Sequence, residues 1–252
     1  QIRPKVFVME NVPGLIRLFG GKVKEQVLND FSSLGYRVKV QQLSSDDYGV
    51  PQQRKRVFFV GVNAEKISKK NEFEFPKAEY GDGMKPYVTC KEAISDLDFV
   101  PDDVSLGENI AYKIPAQSEY QNLMRKGSHS IKNHSITIHK EQTKKIIAMV
   151  PDGGNYKDLP IELQNTRKVH IAWTRMNSEK PCFTIDTGHN HHFHYKENRV
   201  PTVRESARIQ SFPDKFEFIG IKTSQLKQVG NAVPPLFAKK VAFAIYHLIQ
   251  AN

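Results

Sequence analysis

Two short stretches of the sequence carry charged side chains where a catalytic site could form. Glu10 directly follows the apolar run 4–9, and Arg54 and Arg56 stand two residues apart where the apolar run 56–60 begins. Side chains two apart on a strand point to the same face, and two guanidinium groups on one face favour an anionic or carbonyl oxygen. A carboxylate that caps a strand and a charged edge strand would explain the same residues equally well. The pattern therefore needs support from the rest of the chain.

The elements that would position these residues form half of an α/β sheet. Residues 4–9 are typical of a buried parallel strand, and two more strands are predicted at 36–40 and 56–60. Apolar residues at helical spacing predict a helix over 23–34, which Gly35 would end in a left-handed conformation. We therefore expect the order strand, helix, strand, strand.

Local signals mark the elements that follow. The polar segment 63–87 is predicted to be a surface excursion. Thr89 with Glu92 and Thr202 with Glu205 have the spacing of capping boxes, which predict helix starts. A last helix is expected from Pro234.

The character of the sequence changes between about 105 and 200. Short segments rich in Tyr, His, Asn and Gly replace the regular pattern there. We predict a catalytic domain over 1–104, a smaller and mostly irregular or β domain over 105–200, and a return to the catalytic domain over 201–252.

Composition limits the function classes. The 252 residues carry 37 Lys and Arg against 27 Asp and Glu, and the net charge of +10 favours a polyanionic partner if it lies on one face. The only two cysteines, Cys90 and Cys182, do not indicate a disulfide framework or a zinc knuckle. No apolar run approaches the roughly 18 residues of a membrane span. We expect a cytoplasmic protein without a membrane partner.

Four ordered blocks of sequence resemble the DNA (cytosine-5) methyltransferase family. They are Glu10-Asn11-Val12, Gln52-x-Arg54-x-Arg56, the run from Arg204 through Arg208 to Pro213, and the run from Gln228 to Pro234. The segments 133–134, 151–155 and 181–185 are also similar to bacterial members. The resemblance implies an α/β fold with a partial Rossmann-like sheet for S-adenosylmethionine-dependent methyl transfer, and it makes 105–200 a target-recognition domain.

The chemistry of this family gives roles to the charged residues. A cysteine thiolate adds to carbon-6 of a flipped cytosine, whose carbon-5 then takes the methyl group of S-adenosylmethionine. The resemblance implies that Glu10 protonates or hydrogen-bonds ring nitrogen-3, that Arg56 holds the carbonyl oxygen of the base, and that Arg54 steadies the nucleotide or its phosphate. Double-stranded DNA is the expected partner, and a bacterial restriction-modification system, nucleoid-associated in the cell, is the expected context.

Other expected site residues bind cofactor or DNA. The fourth block implies that Asn231, Ala232 and Val233 line the cofactor pocket, although a helix cap before a rigid start explains the same residues. Thr184 is expected to contact a DNA phosphate because its segment resembles the recognition-domain dyad, with a buried strand threonine as the alternative. Arg175, near the basic run 167–170, is a further candidate for DNA contact.

Structural roles are expected for the remaining motif residues. These are Asn11, Gln52, Arg204 and Arg208, and the last two are predicted to pair with Glu205 or another carboxylate. No metal site is expected, because the histidines over 189–194 come without the cysteine pair that would help to fix zinc.

Two defining blocks of the family are missing from these residues: the Gly-rich cofactor loop and the Pro-Cys-Gln that carries the nucleophile. Cys182 follows a proline but is followed by Phe183, and nothing around Cys90 completes a nucleophile site, so neither is expected to be catalytic. We expect the C-terminal portion of a methyltransferase, inactive alone and with an incomplete S-adenosylmethionine pocket. Its partner would be the N-terminal half, from the same gene or as a split subunit. A free edge on the first strand would also favour homodimers.

Two other function classes compete with this interpretation. A DNA-binding module without catalysis would show salt-sensitive DNA affinity that does not depend on S-adenosylmethionine. A nuclease is less favoured, because the Pro-Asp pairs at 101–102, 151–152 and 213–214 lack a downstream acidic-x-Lys sequence.

Overall fold

The main sheet has three strands in a computed structural model that describes residues 2–99, 109–164, 173–187 and 192–251. They are β1 (Val6–Asn11), β2 (Tyr36–Ser44) and β3 (Lys55–Asn63), in the order β1-β3-β2. Both outer strands run antiparallel to β3. The α/β class is confirmed, but the prediction that β1 is a buried parallel strand is wrong. The connection 45–54 is too short for the crossover that would make β2 and β3 parallel, and β1 lies half-buried at the sheet edge.

Helix α1 (Lys22–Ser33) covers one face of this sheet, as the spacing predicted. The Phe7 ring lies 4.1 Å from the Phe31 ring and 5.1 Å from the Tyr36 ring, measured between centroids. Phe7 also occupies the space above Gly61, where a Cβ atom would lie 1.9 Å from the ring. Gly35 has φ +83° and ends the helix as expected.

Helix α8 (Pro235–Gln250) covers the opposite face of the sheet. Its buried residues Phe237 and Val241 pack with Phe58, and Leu248 packs with Val60. Segment 63–87 contributes to the same core, because Ile67 and Phe73 are buried beside Leu248. The prediction of a surface excursion is therefore wrong for these two residues.

One stretch of the described chain, Lys222–Gln250, is long and apolar enough, by length and composition alone, to cross a membrane. It comprises two helices, α7 (Lys222–Asn231) and α8, which are separated by the extended residues Ala232 and Pro234. Because the helical path is interrupted between α7 and α8, the stretch is not one continuous helix, and α8 packs one face on the sheet.

The remaining elements are short. Helices α2 (Cys90–Ile94), α3 (Glu119–Arg125), α4 (Glu141–Ala148), α5 (Ile161–Gln164) and α6 (Val203–Ile209) accompany a pair of two-residue parallel strands, β4 (Thr174–Arg175) and β5 (His192–Phe193). Both predicted capping boxes are confirmed, at α2 with Thr89 and Glu92 and at α6 with Thr202 and Glu205. One core cluster includes Ile94, Ile131 and Ile209, so buried contacts join all three predicted domains.

Every residue of α6 is buried, including three charged ones. Arg208 donates to both oxygens of Asp214 and both of Asp96. Burial alone would lower the pKa of Arg208, but the hydrogen bonds and charge of Asp214 raise it above its usual range. Removing one partner from such a buried pair commonly costs about 3–5 kcal/mol.

The other two charged residues of α6 bond to segments outside the helix. Arg204 donates to the carbonyls of Lys132 and Phe216. Glu205 instead accepts two hydrogen bonds from Arg199, at 2.6 and 2.8 Å. The spacing of charged residues within α6 could not predict these partners, because Lys132, Phe216 and Arg199 all lie outside the helix.

His194 is buried beside the Glu205 carboxylate. Its Nδ1 accepts hydrogen bonds from the backbone N–H groups of Lys196 and Glu197, and its Nε2 lies 3.5 Å from Asp98 Oδ1 and 3.7 Å from Glu205 Oε1. Burial lowers the pKa of His194 to about 3, and the charges of Arg199 and Arg175 act in the same direction, against the pull of Glu205.

This shift predicts acid destabilisation. An unfolded histidine titrates near pH 6.5, so between about pH 6.5 and 3 the unfolded chain binds a proton that folded His194 excludes. Stability should fall as pH drops through that window, by about 1.4 kcal/mol per pH unit for this one group. His194→Asn keeps an acceptor for the two N–H groups and should flatten the change in unfolding free energy between pH 7.5 and 5.0, measured by urea denaturation. The exposed control His247→Asn should keep the wild-type slope; equal slopes in both variants would contradict this assignment.

Candidate active site

Four separate segments of the chain converge on an open cleft of about 490 Å³ at the end of β1. The lining includes side chains that can ionise or form hydrogen bonds, among them Glu10, Arg54, Arg56, Thr184, Asp186 and Asn231. All three expected catalytic residues are thus brought together with two of the residues expected to bind DNA or cofactor. Asp186 was not anticipated, because no sequence pattern distinguished it from its neighbours.

Glu10 and Arg56 form an ion pair on one wall of the cleft. Arg56 Nε lies 2.9 Å from Glu10 Oε1, and both side chains keep some exposure, 13% and 27%. The register of the sheet explains the pairing, because Glu10 lies opposite Phe58 and β3 therefore brings Arg56 alongside the end of β1. Burial lowers the pKa of Arg56, and the charge of Glu10 opposes this shift.

Arg54 is held beneath the cleft. It is buried, and its Nη2 donates to the carbonyl oxygen of Gly230 at 2.7 Å, while its Nε has no hydrogen-bond partner among the described residues. Burial and the neighbouring Arg56 charge lower the pKa of Arg54 to about 10. The guanidinium therefore stays charged at neutral pH, and a buried cation with an unused donor is suited to an anion.

Gly230 allows two walls of the cleft to meet. Gly230 lies in the last helical turn of α7, and the chain becomes extended at Ala232. A Cβ atom on Gly230 would lie 2.2 Å from the carbonyl oxygen of Asp186. The segment 184–187 can approach α7 this closely only because residue 230 has no side chain.

Thr184 and Asn11 each form a hydrogen bond with the backbone at the rim of the cleft. The exposed Thr184 donates from its hydroxyl to the carbonyl of Gln53 at 2.8 Å, so it is not the buried strand threonine that was the alternative. Asn11 accepts a hydrogen bond from the N–H of Val12 at 2.8 Å. Both residues line the cleft.

Gln52 braces the site from behind. It is fully buried; its Oε1 accepts from the N–H of Ile185, and its Nε2 donates to Gln210 Oε1. The sequence analysis gave Gln210 no role of its own, because its only distinguishing signal was its position within the third block. The two amides connect the segment before β3, the 184–187 segment and the C-terminal end of α6.

The expected cofactor residues divide into two sets. Asn231 is exposed and lines the cleft, whereas Ala232 and Val233 are half-buried and do not line it. Val233 packs against the cluster that contains Tyr48 and Phe237.

Arg175 does not fit the expected role in DNA binding. It is buried, and its guanidinium donates to four backbone carbonyls and one amide oxygen, those of Ile147, Val150, His194, Glu197 and Asn198. A guanidinium with this many internal acceptors ties segments together and is not presented to a ligand. The neighbouring basic run 167–170 lies outside the described residues.

Neither cysteine belongs to the cleft. Cys90 and Cys182 are both free and fully buried in the core cluster behind it. Burial raises the pKa of the Cys182 thiol well above its usual value, and the adjacent Cys90 adds to the shift. Within the described ranges no group of three or more His, Cys, Asp or Glu side chains is placed to hold a metal ion; His189 and His191 lie outside those ranges.

The sequence profile described as C-5 cytosine-specific DNA methylase matches residues 1–247. This chain belongs to that family. Three of its four blocks and the 181–185 segment supply residues that line the cleft, so membership and geometry point to the same site.

Curated relatives of this chain are type II methyltransferases. M1.HphI of Haemophilus parahaemolyticus is 35% identical over 96% of this chain, and M.NgoFVII of Neisseria gonorrhoeae is 32% identical over 99%. M.DdeI of Desulfomicrobium norvegicum is 34% identical over 95%. The chain spans 57%, 60% and 62% of the lengths of these three relatives.

Solved structures share the fold of this chain. A DNA modification methyltransferase encoded within an E. coli prophage superposes with a TM-score of 0.74, covering 98% of this chain and 70% of that one at 24% identity. The methyltransferase EhMeth of Entamoeba histolytica gives 0.52, covering 98% and 63% at 15% identity.

The close approach at Gly230 yields a prediction. Gly230→Ala should destabilise the chain by about 1–3 kcal/mol, because a backbone atom of Asp186 would have to move. Helix propensity alone would stabilise an alanine by up to about 1 kcal/mol, so net destabilisation would show that the contact dominates. Urea unfolding measures this. Gly14→Ala, where a Cβ meets nothing within 4 Å, is the control and should change stability by less than about 0.5 kcal/mol; equal effects would contradict the close approach.

Proposed function

We propose that this chain is the C-terminal portion of a DNA (cytosine-5) methyltransferase of a restriction-modification system. In this proposal it stabilises the flipped cytosine and recognises the DNA. The observation that carries the proposal is the convergence of Glu10, Arg54, Arg56, Thr184 and Asn231 on one cleft. A carboxylate, two guanidiniums, a hydroxyl and an amide are the groups that a flipped nucleotide beside a methyl donor requires.

Glu10 and Arg56 would act on the base itself. Addition of a thiolate at carbon-6 places negative charge on ring nitrogen-3 and the neighbouring carbonyl oxygen. A carboxyl group at nitrogen-3 and a guanidinium at the oxygen would stabilise that charge. The 2.9 Å ion pair keeps the two groups side by side, as neighbouring atoms on one ring edge demand.

Arg54 and Thr184 would hold the nucleotide backbone. Arg54 Nε has no hydrogen-bond partner among the described residues, and the exposed Thr184 hydroxyl could turn its single donated hydrogen bond from the Gln53 carbonyl to a phosphate oxygen. Phosphate contacts of this kind fix position without reading sequence. We assign direct reading of bases to the 105–200 target-recognition domain. Arg175 is not one of the residues that read them, because its guanidinium donates to backbone carbonyls within the chain.

Asn231 would contribute to cofactor binding from the opposite wall. Its amide is exposed in the cleft and offers both donor and acceptor, which suits the amino-acid portion of S-adenosylmethionine. Ala232 and Val233 would shape the pocket through their backbone. When bound, S-adenosylmethionine supplies the electrophilic methyl group.

The nucleophile would come from outside these 252 residues. Both cysteines are buried behind the cleft, and the raised pKa of Cys182 disfavours the thiolate. We therefore propose that the Pro-Cys-Gln block and the Gly-rich cofactor loop lie on an N-terminal half, in the same gene or on a split subunit, and that the chain alone is inactive. We place the assembled enzyme in the bacterial cytoplasm, associated with the nucleoid through its DNA substrate.

Methyl transfer tests the proposal. Tritiated methyl from S-adenosylmethionine should reach duplex DNA only when this chain is mixed with the segment of its source gene that carries the two missing blocks. In the active mixture Glu10→Gln should lower the rate about 10²- to 10⁴-fold, the range of general acid catalysis. The exposed Glu25→Gln, on α1, is the matched control and should leave the rate unchanged.

Three results would contradict parts of the proposal. Transfer by the chain alone would refute the external nucleophile. An unchanged rate in Glu10→Gln would remove Glu10 from the mechanism. No transfer by a mixture whose halves associate and bind cofactor would favour the alternative, a DNA-binding module without catalysis.

The edge of β1 is the proposed contact with the missing half. Among the described residues only β3 pairs with β1, and Val8 in that strand is 45% exposed. An unpaired strand edge is a template for another strand. The same edge would support a homodimer when the N-terminal half is absent.

Sedimentation velocity over a range of concentrations tests this edge. The isolated chain should associate reversibly, and Val8→Lys should weaken the association because a charge on an edge strand opposes pairing. Leu34→Lys, at an apolar residue that is 58% exposed beyond α1, should not. A strictly monomeric wild-type chain would contradict the prediction.

A further inference from the structure

Two consecutive residues at the C-terminal end of α6 contact both ends of the segment 229–236. Gln210 reaches the end of α7, and Ser211 reaches the start of α8. Asn231 lies between these two contacts. Neither Gln210 nor Ser211 lines the cleft.

Gln210 uses both ends of its amide. The side chain is fully buried; its Nε2 donates to the carbonyl of Val229 at 2.8 Å and that of Ala232 at 3.5 Å, and its Oε1 accepts from Gln52 Nε2 at 2.9 Å. Hydrogen bonds thus run from the backbone N–H of Ile185 through the amides of Gln52 and Gln210 to the carbonyl of Val229. The N–H at one end can only donate, and the carbonyl at the other end can only accept. Each link between them must therefore both accept and donate, as an amide does.

Ser211 caps α8 from outside that helix. The first N–H groups of a helix have no partner within it, and Pro234, which precedes Pro235, supplies no side-chain cap. The Ser211 hydroxyl accepts the hydrogen bond of the Leu236 N–H at 3.1 Å. Ser211 has φ +62°, a left-handed conformation that costs a non-glycine residue of order 1 kcal/mol or more.

Helix α6 is a firm anchor for both contacts. All of its residues are buried, and Arg208 is fixed by Asp96 and Asp214. Residues that follow directly on such a helix can hold a neighbouring segment more rigidly than exposed loop residues can.

We propose that Gln210 and Ser211 are positioning residues that clamp the segment 229–236 at both ends and so set the place of Asn231 in the cleft. The inference rests on the proposed function for the identity of the ligand, S-adenosylmethionine. Through Gln52 and Ile185 the same clamp connects the cofactor wall to the wall that carries Thr184.

Hydrogen–deuterium exchange on the 252-residue chain tests the clamp without any ligand. Gln210→Met keeps the length of the side chain but loses the amide, and Ser211→Gly loses the hydroxyl while suiting the left-handed backbone. In both variants the amides of 229–236 should exchange at least about threefold faster, the effect of one lost hydrogen bond. The matched control is Gln121→Met, which removes another fully buried amide, bonded to Ser95 and Gln117. It should leave 229–236 unchanged.

Ligand binding tests the consequence in the complete enzyme. Gln210→Met should weaken S-adenosylhomocysteine binding about three- to tenfold in calorimetry, and Gln121→Met should leave it unchanged.

Either of two results would overturn the clamp: exchange over 229–236 that matches wild type in Ser211→Gly, or cofactor affinity in Gln210→Met that equals the control. Ser211→Gly decides the question if Gln210→Met fails to fold. A complete wild-type enzyme that binds no S-adenosylhomocysteine would refute the proposed function, and the exchange measurement would still decide the clamp.

Discussion

The burial of α6 is the constraint on which the rest of this structure depends. A seven-residue helix with two arginines and a glutamate cannot be removed from water unless every charge finds partners. Asp96, Asp214 and Arg199 supply these partners from three separate segments, and backbone carbonyls satisfy Arg204. Each partner fixes its own segment against the helix. The charges thus organise the chain around α6 even where regular secondary structure is sparse.

Hydrogen bonds that start from the end of α6 fix the geometry of the cleft. Gln210 and Gln52 connect the end of α6 to the segments that bear Thr184 and Asn231, and Arg54, directly before β3, donates to the Gly230 carbonyl. None of these contacts belongs to one element alone. Hydrogen bonds between buried backbone and amide groups are directional, so they fix distances between the walls that apolar packing would leave more adaptable.

Sequence reasoning succeeded where the signal is local. The capping boxes at Thr89 and Thr202 and the left-handed Gly35 follow from bonds within four residues, and they are present as predicted. It failed where a distant partner decides. Arg175 has the residue type of a DNA contact, yet its acceptors lie on α4, in the loop after that helix and in the segment after β5, and no pattern near Arg175 announces them. The direction of β1, the partners of Arg204 and the burial of Phe73 depend likewise on chain distant in sequence.

The charges of the cleft are in place before any substrate arrives. Arg56 is oriented by Glu10 and Arg54 by the Gly230 carbonyl, so neither guanidinium must reorganise to meet developing negative charge. Preorganised charge in a partly desolvated site is commonly the largest contribution to catalysis. In the proposed mechanism the two parts of the enzyme therefore have different roles. The chain supplies the electrostatic environment of the base, and the missing half has only to deliver a thiolate and the greater part of the cofactor pocket. For this proposed division, the Glu10–Arg56 ion pair and the hydrogen bond of Arg54 to Gly230 matter because they hold the charged groups in place before a second part arrives.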